Sequence, residues 1–506
     1  MQGGNGPAEE GSDRSRNIVR GVGSLTVQRA LNAVLGFVLL ASLVRFLPQS
    51  GYGSYSSVQV TVGIAGVFSE FGLNAAVVRF LAPASSDEGG AGWGAAKASL
   101  YLTLALSTVV ALVLVALAPY LSDYFTKGQS LAWAFYLGAA WLFTSSVAAP
   151  VQAMLQGLRR YAFLAKVLLG SRFVAVAFAV GGVYFYHSLA IAIASQAVYA
   201  LLILVSSLPL ALGPLRRADP SPYYGKVLRF AYLLGLAGLV TAVAGNADIV
   251  VVGGYLSLGS LGVYNAVVQI SGVLYAFLVA PLVTALFAET SLSSESVDEV
   301  RRGTHLAFRF SMVTLLPASL FAAAMAPQLF DLFSGGGAYS QGIPYLELIT
   351  FFYVFTVVQT IAINVLTGVS RTRQVLTVGA VTAIGEVALS ASLVPGLGLA
   401  GAAISRVAIF VLGCGLSLYF IRDYILRPVN YGFYARALVA SAVPAVAVYI
   451  PSVYYSSSLV TIVPYTLLGL VLFLLFAKLL RLLTPEDKSY LGHLLPAGLH
   501  WVLRFL

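Results

Sequence analysis

Leu47-Pro48-Gln49-Ser50-Gly51-Tyr52-Gly53-Ser54-Tyr55 closes the first apolar stretch of this chain, and Leu256-Ser257-Leu258-Gly259-Ser260-Leu261-Gly262-Val263-Tyr264 closes the seventh. Both read Leu-x5-Gly-x-Tyr, and Gly53 and Gly262 stand 209 positions apart. Leu155-x-Gly157-x2-Arg160 returns as Leu366-x-Gly368-x2-Arg371, 211 positions on. Leu189-Ala190-x-Ala192-x2-Ser195 returns as Leu399-Ala400-x-Ala402-x2-Ser405, 210 positions on. One coincidence of small and apolar residues means little in so apolar a sequence. Three in the same order argue for a duplicated bundle. Six spans per copy is an even number, so both copies cross the membrane in the same sense. They are expected to be related by an axis along the membrane normal, with a path for a transported molecule between them.

The composition supports spans rather than a soluble core. Hydrophobic residues make up 59% of 506 positions and charged ones only 9%, far from the balance of a water-soluble domain. At about 20 apolar residues per transmembrane helix, the chain accommodates spans at 22–46, 56–80, 96–118, 131–156, 161–186, 189–211, 228–253, 260–288, 304–330, 343–368, 374–395, 398–421, 434–453 and 458–480. The expected fold is therefore an all-α integral membrane protein with fourteen transmembrane helices. Spans one to six form an N-lobe at 22–211 and spans seven to twelve a C-lobe at 228–421, joined by a cytoplasmic linker at 212–227. The last two spans, 434–480, are an unduplicated helix pair. Residues 1–21 read as a polar cytoplasmic N-terminus without a cleavable signal, so that span one serves as its own signal-anchor. The tail 485–506 mixes Leu491, Leu494, Leu495, Leu499 and Trp501 with polar residues, the pattern of an interfacial helix.

Basic residues set the orientation. With a cytoplasmic N-terminus, most of the 29 Lys and Arg fall in cytoplasmic segments, among them Arg14, Arg16, Arg20, Arg159, Arg160, Arg216, Arg217, Arg301, Arg302, Arg371, Arg373, Arg422 and Arg436. Only Lys127 and Arg45 sit on the other side, so the positive-inside rule places both termini in the cytoplasm of a cell with this protein in its cytoplasmic membrane. The net charge of +10 is thus mostly a topology signal, and no basic domain outside the membrane offers a nucleic-acid surface.

Covalent chemistry finds little support. The single Cys414 excludes disulfides and cysteine-based metal sites. His187, His305, His493 and His500 are scattered at span ends and in the tail, and none has metal or catalytic spacing with a carboxylate. Loops are short, which weighs against an embedded polymerase, ligase or glycosyltransferase. Gly335-Gly336-Gly337 lacks the strand, helix and following Lys of a phosphate cradle and reads as a turn.

Several motifs resemble a known family. Arg45-Phe46-Leu47-Pro48-Gln49-Ser50-Gly51-Tyr52-Gly53 looks like a slightly compressed R-x-L-x-P-x-x-Y-G, followed by Phe71-Gly72-Leu73-Asn74-Ala75-Ala76-Val77-Val78-Arg79. Ala247-Asp248, then Gly262-Val263-Tyr264-Asn265-Ala266, then Ala280-Pro281 follow in the second half. In this order they are similar to the Wzx-type polysaccharide exporters of the multidrug/oligosaccharidyl-lipid/polysaccharide (MOP) exporter superfamily, over about residues 15–480. The resemblance implies a flippase that moves a polyprenyl-linked oligosaccharide from the inner to the outer leaflet. It also implies a V-shaped pair of lobes with spans one, two, seven and eight lining a central cavity.

Relatives on such a fold carry drugs or cell-wall precursors, so the residues themselves must choose. Charges within spans cost at least about 2.5 kcal/mol unless paired or wetted. The basic ones are Arg29, Lys166, Arg172, Arg229, Arg309 and Arg406; the acidic ones are Glu70, Asp248 and Glu386. That cationic balance suits an anionic lipid-pyrophosphate headgroup, which Arg binds in bidentate fashion; a cationic-drug exporter calls for the opposite sign. Arg229, Arg309 and Lys166 lie near enough to span ends to snorkel. Glu386 and Arg406 lie at one depth on adjacent antiparallel spans and are expected to form a structural ion pair. Arg29 and Arg172 are too deep to escape, and Glu70 lies at comparable depth as a possible partner.

Polar residues four apart mark faces turned from lipid: Gln28 and Asn32, Glu70 and Asn74, Asn265 and Gln269, Thr360 and Asn364. They either face a hydrated cavity or bond between helices at about 0.6 kcal/mol each. The candidate substrate contacts are accordingly Arg29, Asn32, Glu70, Asn74, Lys166, Arg172, Asn265 and Gln269. Tyr52, Tyr55 and Tyr264 read as interfacial aromatics or as platforms for sugars. Asp248 beside Asn246 is the candidate coupling site, since gradient-driven transport needs a carboxylate whose proton or cation occupancy differs between states; a helix-end hydrogen bond explains it equally. No cofactor or metal is expected, only H+ or Na+ as coupling ion. The expected partners are the bilayer, a polyprenyl-linked glycan and glycan-assembly proteins, around a monomeric transport unit. A small-molecule antiporter of the same superfamily and a membrane glycan-assembly enzyme or scaffold remain the alternatives.

Overall fold

The computed structural model describes residues 28, 31–82, 90–128, 130–278, 297–335, 337–425, 430–454 and 459–484. Among them there is no strand. The chain runs through α1 (Leu31–Phe46), α2 (Gln49–Glu70), α3 (Leu73–Leu81), α4 (Gly90–Thr126), α5 (Ala132–Gly157), α6 (Tyr161–Tyr186), α7 (Leu189–Arg217), α8 (Tyr224–Tyr255) and α9 (Leu258–Leu278). It continues through α10 (Val297–Ala324), α11 (Ala326–Ser334), α12 (Ile343–Gly368), α13 (Thr372–Leu397), α14 (Leu399–Phe420), α15 (Tyr431–Tyr454) and α16 (Leu459–Leu479). Among the described residues twelve helices are long and apolar enough to cross a membrane, and the bent pair α2–α3, taken as one span, makes thirteen. The protein is an all-α multi-pass membrane protein. Against the fourteen expected spans, α1 is too short within the described residues, and the start of span one lies outside them. The N-terminus 1–21, Arg29, the end of span eight and the tail helix 485–506 also lie outside the described residues.

Helices overrun the apolar windows that announced them. α4 extends well beyond 96–118, and α7 and α8 shorten the linker expected at 212–227 to the residues between Arg217 and Tyr224. Hydropathy reports only the part of a helix that meets hydrocarbon; hydrogen bonding continues beyond it. The ninth span, expected unbroken over 304–330, divides at Met325, where Pro327 opens α11.

The repeated motifs fold alike. Arg160 N–H donates to the Leu155 carbonyl at 3.0 Å and Arg371 N–H to the Leu366 carbonyl at 2.8 Å. The residues before them, Arg159 (φ 55°) and Ser370 (φ 59°), both turn left-handed. These are two copies of one helix-ending turn. Ser195 and Ser405 are both buried, with Oγ donating to the carbonyls of Ala192 and Ala402. Tyr55 and Tyr264 are likewise buried, so they are core residues rather than interfacial aromatics or free sugar platforms. The anchor glycines meet directly: a Cβ on Gly53 would overlap the Leu258 carbonyl oxygen, and one on Gly262 would overlap that of Gln49. Only hydrogen fits where α2 and α9 cross this closely.

The chain forms two compact units, Met1–Gly262 and Val263–Leu506. In the first, α4 and α7 pack on α5, and α8 packs on α2, α3 and α4. The seventh span thus belongs to the packing of the first unit. In the second, α10 packs on α12 and α15, and α14 packs on α12 and α13. A cluster of Phe308, Phe310, Val357, Ile361 and Leu366 forms one core of that unit.

Candidate functional site: a polar cavity at a broken helix

Between α2 and α3 the chain bends by 46°. Phe71 (φ 36°) and Gly72 (φ 75°) are both left-handed there, a conformation that suits Gly and strains Phe. A Cβ on Gly72 would come within 2.6 Å of the Ala231 carbonyl oxygen and 2.9 Å of Gly235 N on α8. Reciprocally, a Cβ on Gly235 would come within 2.7 Å of the Phe71 ring. The break is therefore held by two glycines that let α8 approach the backbone. Sequence periodicity carries no sign of it, because one glycine within an apolar run does not announce a bend.

Beside the break opens a cavity of about 670 Å³ walled by α2, α3, α5 and α8. Its size falls in the range of small-ligand sites, roughly 300–1,000 Å³. Glu70, the last residue of α2, reaches it together with Asn74 of α3, whose Nδ2 donates to Glu70 Oε2 at 2.7 Å. The bond spans the break and satisfies part of a carboxylate that is costly to desolvate. Asn74 Oδ1 stays buried without a partner, an acceptor left for something else. Gln59, Trp141, Ser145 and Ser146 add polar and aromatic surface. Glu70 is the only charged group among the described lining residues.

A hydrogen-bonded chain stands behind this wall. The Trp141 ring stacks on Tyr55, with centroids 6.5 Å apart. Gln196 Nε2 donates to Tyr55 Oη, and an Arg172 guanidinium nitrogen donates to Gln196 Oε1, both at 3.2 Å. The Arg172 guanidinium also lies 5.3 Å from the centre of the Tyr199 ring. Arg172 is thus occupied by α7 and does not line the cavity.

Of the eight expected substrate contacts, the structure brings together Glu70 and Asn74. Arg29 lies outside the described residues. Lys166 is exposed on α6, and Asn32 keeps a buried, unpartnered Oδ1 on α1. Asn265 is buried and Gln269 half-buried on α9, in the second unit. Asp248 is fully buried on α8, where its Oδ1 accepts the Ile249 N–H at 2.9 Å. Asn246 Nδ2 donates to the Ala242 carbonyl, and neither residue lines the cavity. On α13 and α14, Ser390 Oγ donates to Ser405 Oγ at 3.2 Å. Buried Glu386 lies one turn from that contact and Arg406 next to it.

The sequence reading missed Gln59, Trp141, Ser145 and Ser146, though a Ser-Ser pair deep in an apolar span was a usable signal. It also missed Gln196, whose partners are distant in the chain, and Glu347, one turn inside α12. Among the described residues no group of three or more His, Cys, Asp or Glu is arranged to hold a metal ion.

Residues 42–337, more than half of the sequence, match the family described as polysaccharide biosynthesis protein. The chain belongs to that family. No curated protein matches the sequence significantly. Among solved structures it is similar to the lipid II flippase MurJ in an inward closed conformation, with a TM-score of 0.74 at 12% identity, covering 91% of this chain and 98% of that one. It is also similar to a multidrug-resistance MATE transporter of the MOP superfamily in its inward-facing conformation, with a TM-score of 0.59 at 15% identity over 79% of this chain and 97% of that one. The outward-facing form gives a TM-score of 0.55 at 16% identity, over 80% and 94%. At these identities the likeness is one of fold, and that fold is the one the motifs led us to expect.

Proposed function

We propose that this member of the polysaccharide biosynthesis family is an alternating-access flippase. It moves a polyprenyl-(pyro)phosphate-linked oligosaccharide from the inner to the outer leaflet of the cell membrane, in polysaccharide or glycoprotein glycan assembly. The observation that carries this reading is the donor and acceptor set of the Glu70 cavity. A carboxylate, an amide oxygen without a partner, a second amide and two serines accept and donate the hydrogen bonds that sugar hydroxyls need, beside an indole ring. Such groups recognise neutral polyols; a carboxylate repels phosphate. We therefore assign the saccharide to this cavity and the phosphate to basic groups elsewhere, Arg29 first among them. The transport step makes and breaks no covalent bond, and Asp248 with Asn246 is our candidate for the H+ or Na+ that drives it. The basic helix ends support cytoplasmic termini.

An organic-cation antiporter is the second reading, since Glu70 and Trp141 suit an ammonium ion as well. Proteoliposomes carrying a fluorescent lipid-linked oligosaccharide separate the two. The expected result is protein-dependent appearance of the saccharide in the opposite leaflet, slowed by Glu70→Gln and by Asn74→Leu. Movement of an organic cation, with the saccharide left where it was, overturns the flippase reading.

A further inference from the structure

The second unit holds a groove of about 470 Å³ between α10, α12 and α15. Its walls are Leu320, Ala323, Leu348, Phe351, Ala445 and Val446, with Glu347 as the one charged side chain among the described lining residues. Glu347 is half-buried, and among the described residues no hydrogen bond or ion pair reaches its carboxylate. The groove joins the last turns of α10, the first turns of α12 and the second half of α15, so it lies toward one end of all three helices. The basic residues Arg301 and Arg436 lie at the opposite ends of α10 and α15, and Arg371 just beyond the far end of α12. No arginine or lysine of the groove's own helices is placed to neutralise Glu347.

The surroundings identify the class of occupant. Phe351, Val446 and Tyr449 are 48%, 56% and 41% exposed. They stand on helices apolar and long enough to cross a membrane, so what meets them is lipid rather than water. In hydrocarbon the filling of an apolar groove has little selectivity, because one chain packs about as well as another. Selectivity falls to Glu347, about one turn (~5 Å) from the helix start and thus at headgroup depth. A bare carboxylate at that depth is compensated by an ammonium group that can donate hydrogen bonds to it.

We propose that this groove binds a membrane lipid with a primary ammonium headgroup, of the phosphatidylethanolamine kind, with its acyl chain against Ala445 and Phe351 and its ammonium on Glu347. The site goes beyond the transport reading and stands whether or not the saccharide is the cargo.

Native mass spectrometry of the full-length protein, exposed to equal amounts of phosphatidylethanolamine, phosphatidylglycerol and phosphatidylcholine, tests it. The unmodified protein is expected to retain the ethanolamine lipid about tenfold better than either other lipid, the factor that one charge-assisted contact contributes. Glu347→Gln should abolish this preference while leaving lipid retention as such. Val446→Trp, which narrows the groove from its rim, should lower retention of all three. Asp331→Asn, at the same end of the unit but outside the groove, should change nothing. Equal retention of the three lipids by the unmodified protein overturns the proposal without recourse to any variant. So does an undiminished preference in Glu347→Gln, an equal loss in Asp331→Asn, or displacement of the ethanolamine lipid by an equal amount of polyprenyl phosphate.

Discussion

Glu70 and Glu347 are two half-buried carboxylates in spanning helices, and their surroundings make them different devices. Glu70 sits at a helix break, bonded to Asn74 and facing amides, serines and an indole. Glu347 sits on an unbroken helix at the lip of an apolar groove, with no partner among the described residues. A carboxylate inside a set of neutral polar groups suits a neutral polar ligand. One inside an apolar set suits a counter-ion. The same side chain, at the same nominal cost of burial, acquires its ligand from its neighbours.

The largest effect should separate the two acids directly. Glu70→Gln keeps the shape and removes the charge, and hydrogen bonds to charged groups contribute about 1.5–3 kcal/mol, or roughly 10- to 100-fold in rate if they act on the transported state. Transport of the lipid-linked saccharide in proteoliposomes should fall by that factor. Glu347→Gln in vesicles rich in ammonium lipid should stay within about twofold of wild type, far below the charge-bond range of about 1.5–3 kcal/mol. Equal losses break the comparison. Next in size is the packing of the break. Gly235→Leu drives a side chain into the Phe71 ring and should cost about 1–3 kcal/mol in thermal unfolding. Ala442→Leu, which projects into the open groove, should cost less than about 1 kcal/mol.

Arg172 tests whether the wall behind the cavity acts on it. Arg172→Lys loses the planar fork toward Gln196 and the stacking on Tyr199 and should cost about 1 kcal/mol of stability with a few-fold slower transport. Arg172→Glu should be worse on both measures, and Gln196→Ala should resemble Arg172→Lys. A transport defect in Arg172→Lys that Gln196→Ala does not share would make Arg172 a direct ligand instead. The smallest effect belongs to a third acid, Asp219, fully outside the spans. The backbone N–H of Ser221 bonds its carboxylate at 3.0 Å and holds its pKa below the ordinary value. The folded state therefore binds that proton more weakly than the unfolded chain. The contribution is whole above the ordinary Asp value of about 3.9 and is lost as pH falls through the lowered folded value. Wild type should lose slightly more melting temperature between pH 5 and pH 3 than Asp219→Asn does, an effect near the limit of detection because the group is in water.

Much of the fold was legible in the sequence because its signals are local. Apolar stretches long enough for hydrocarbon mark helices wherever they pack, and the recurring Leu-x-Gly-x2-Arg writes the same helix-ending turn at Arg160 and Arg371. The i, i+4 spacing of Glu70 and Asn74 likewise announced one polar face, and the structure forms that bond across a bend the spacing did not show. Of the two candidate partners of Glu70, Arg29 lies outside the described residues and Arg172 turns to Gln196 and Tyr199, because equal depth along two spans says nothing about which faces they turn to each other.

By itself, then, the sequence determined the all-helical membrane class, the approximate spans, the repeated turns and the supply of buried charge, since each depends on a residue and its near neighbours in the chain. The tertiary structure alone decided the break at Phe71–Gly72, the closure of the Tyr55–Gln196–Arg172 chain and the isolation of Glu347 in an apolar groove. These depend on α8 reaching Gly72, on Gln196 reaching Tyr55 from 141 residues away, and on α10 bringing α12 and α15 to one groove. What a buried charge binds is fixed by the groups within a few ångströms of it in space, and in a bundle of long helices those groups come from distant parts of the chain.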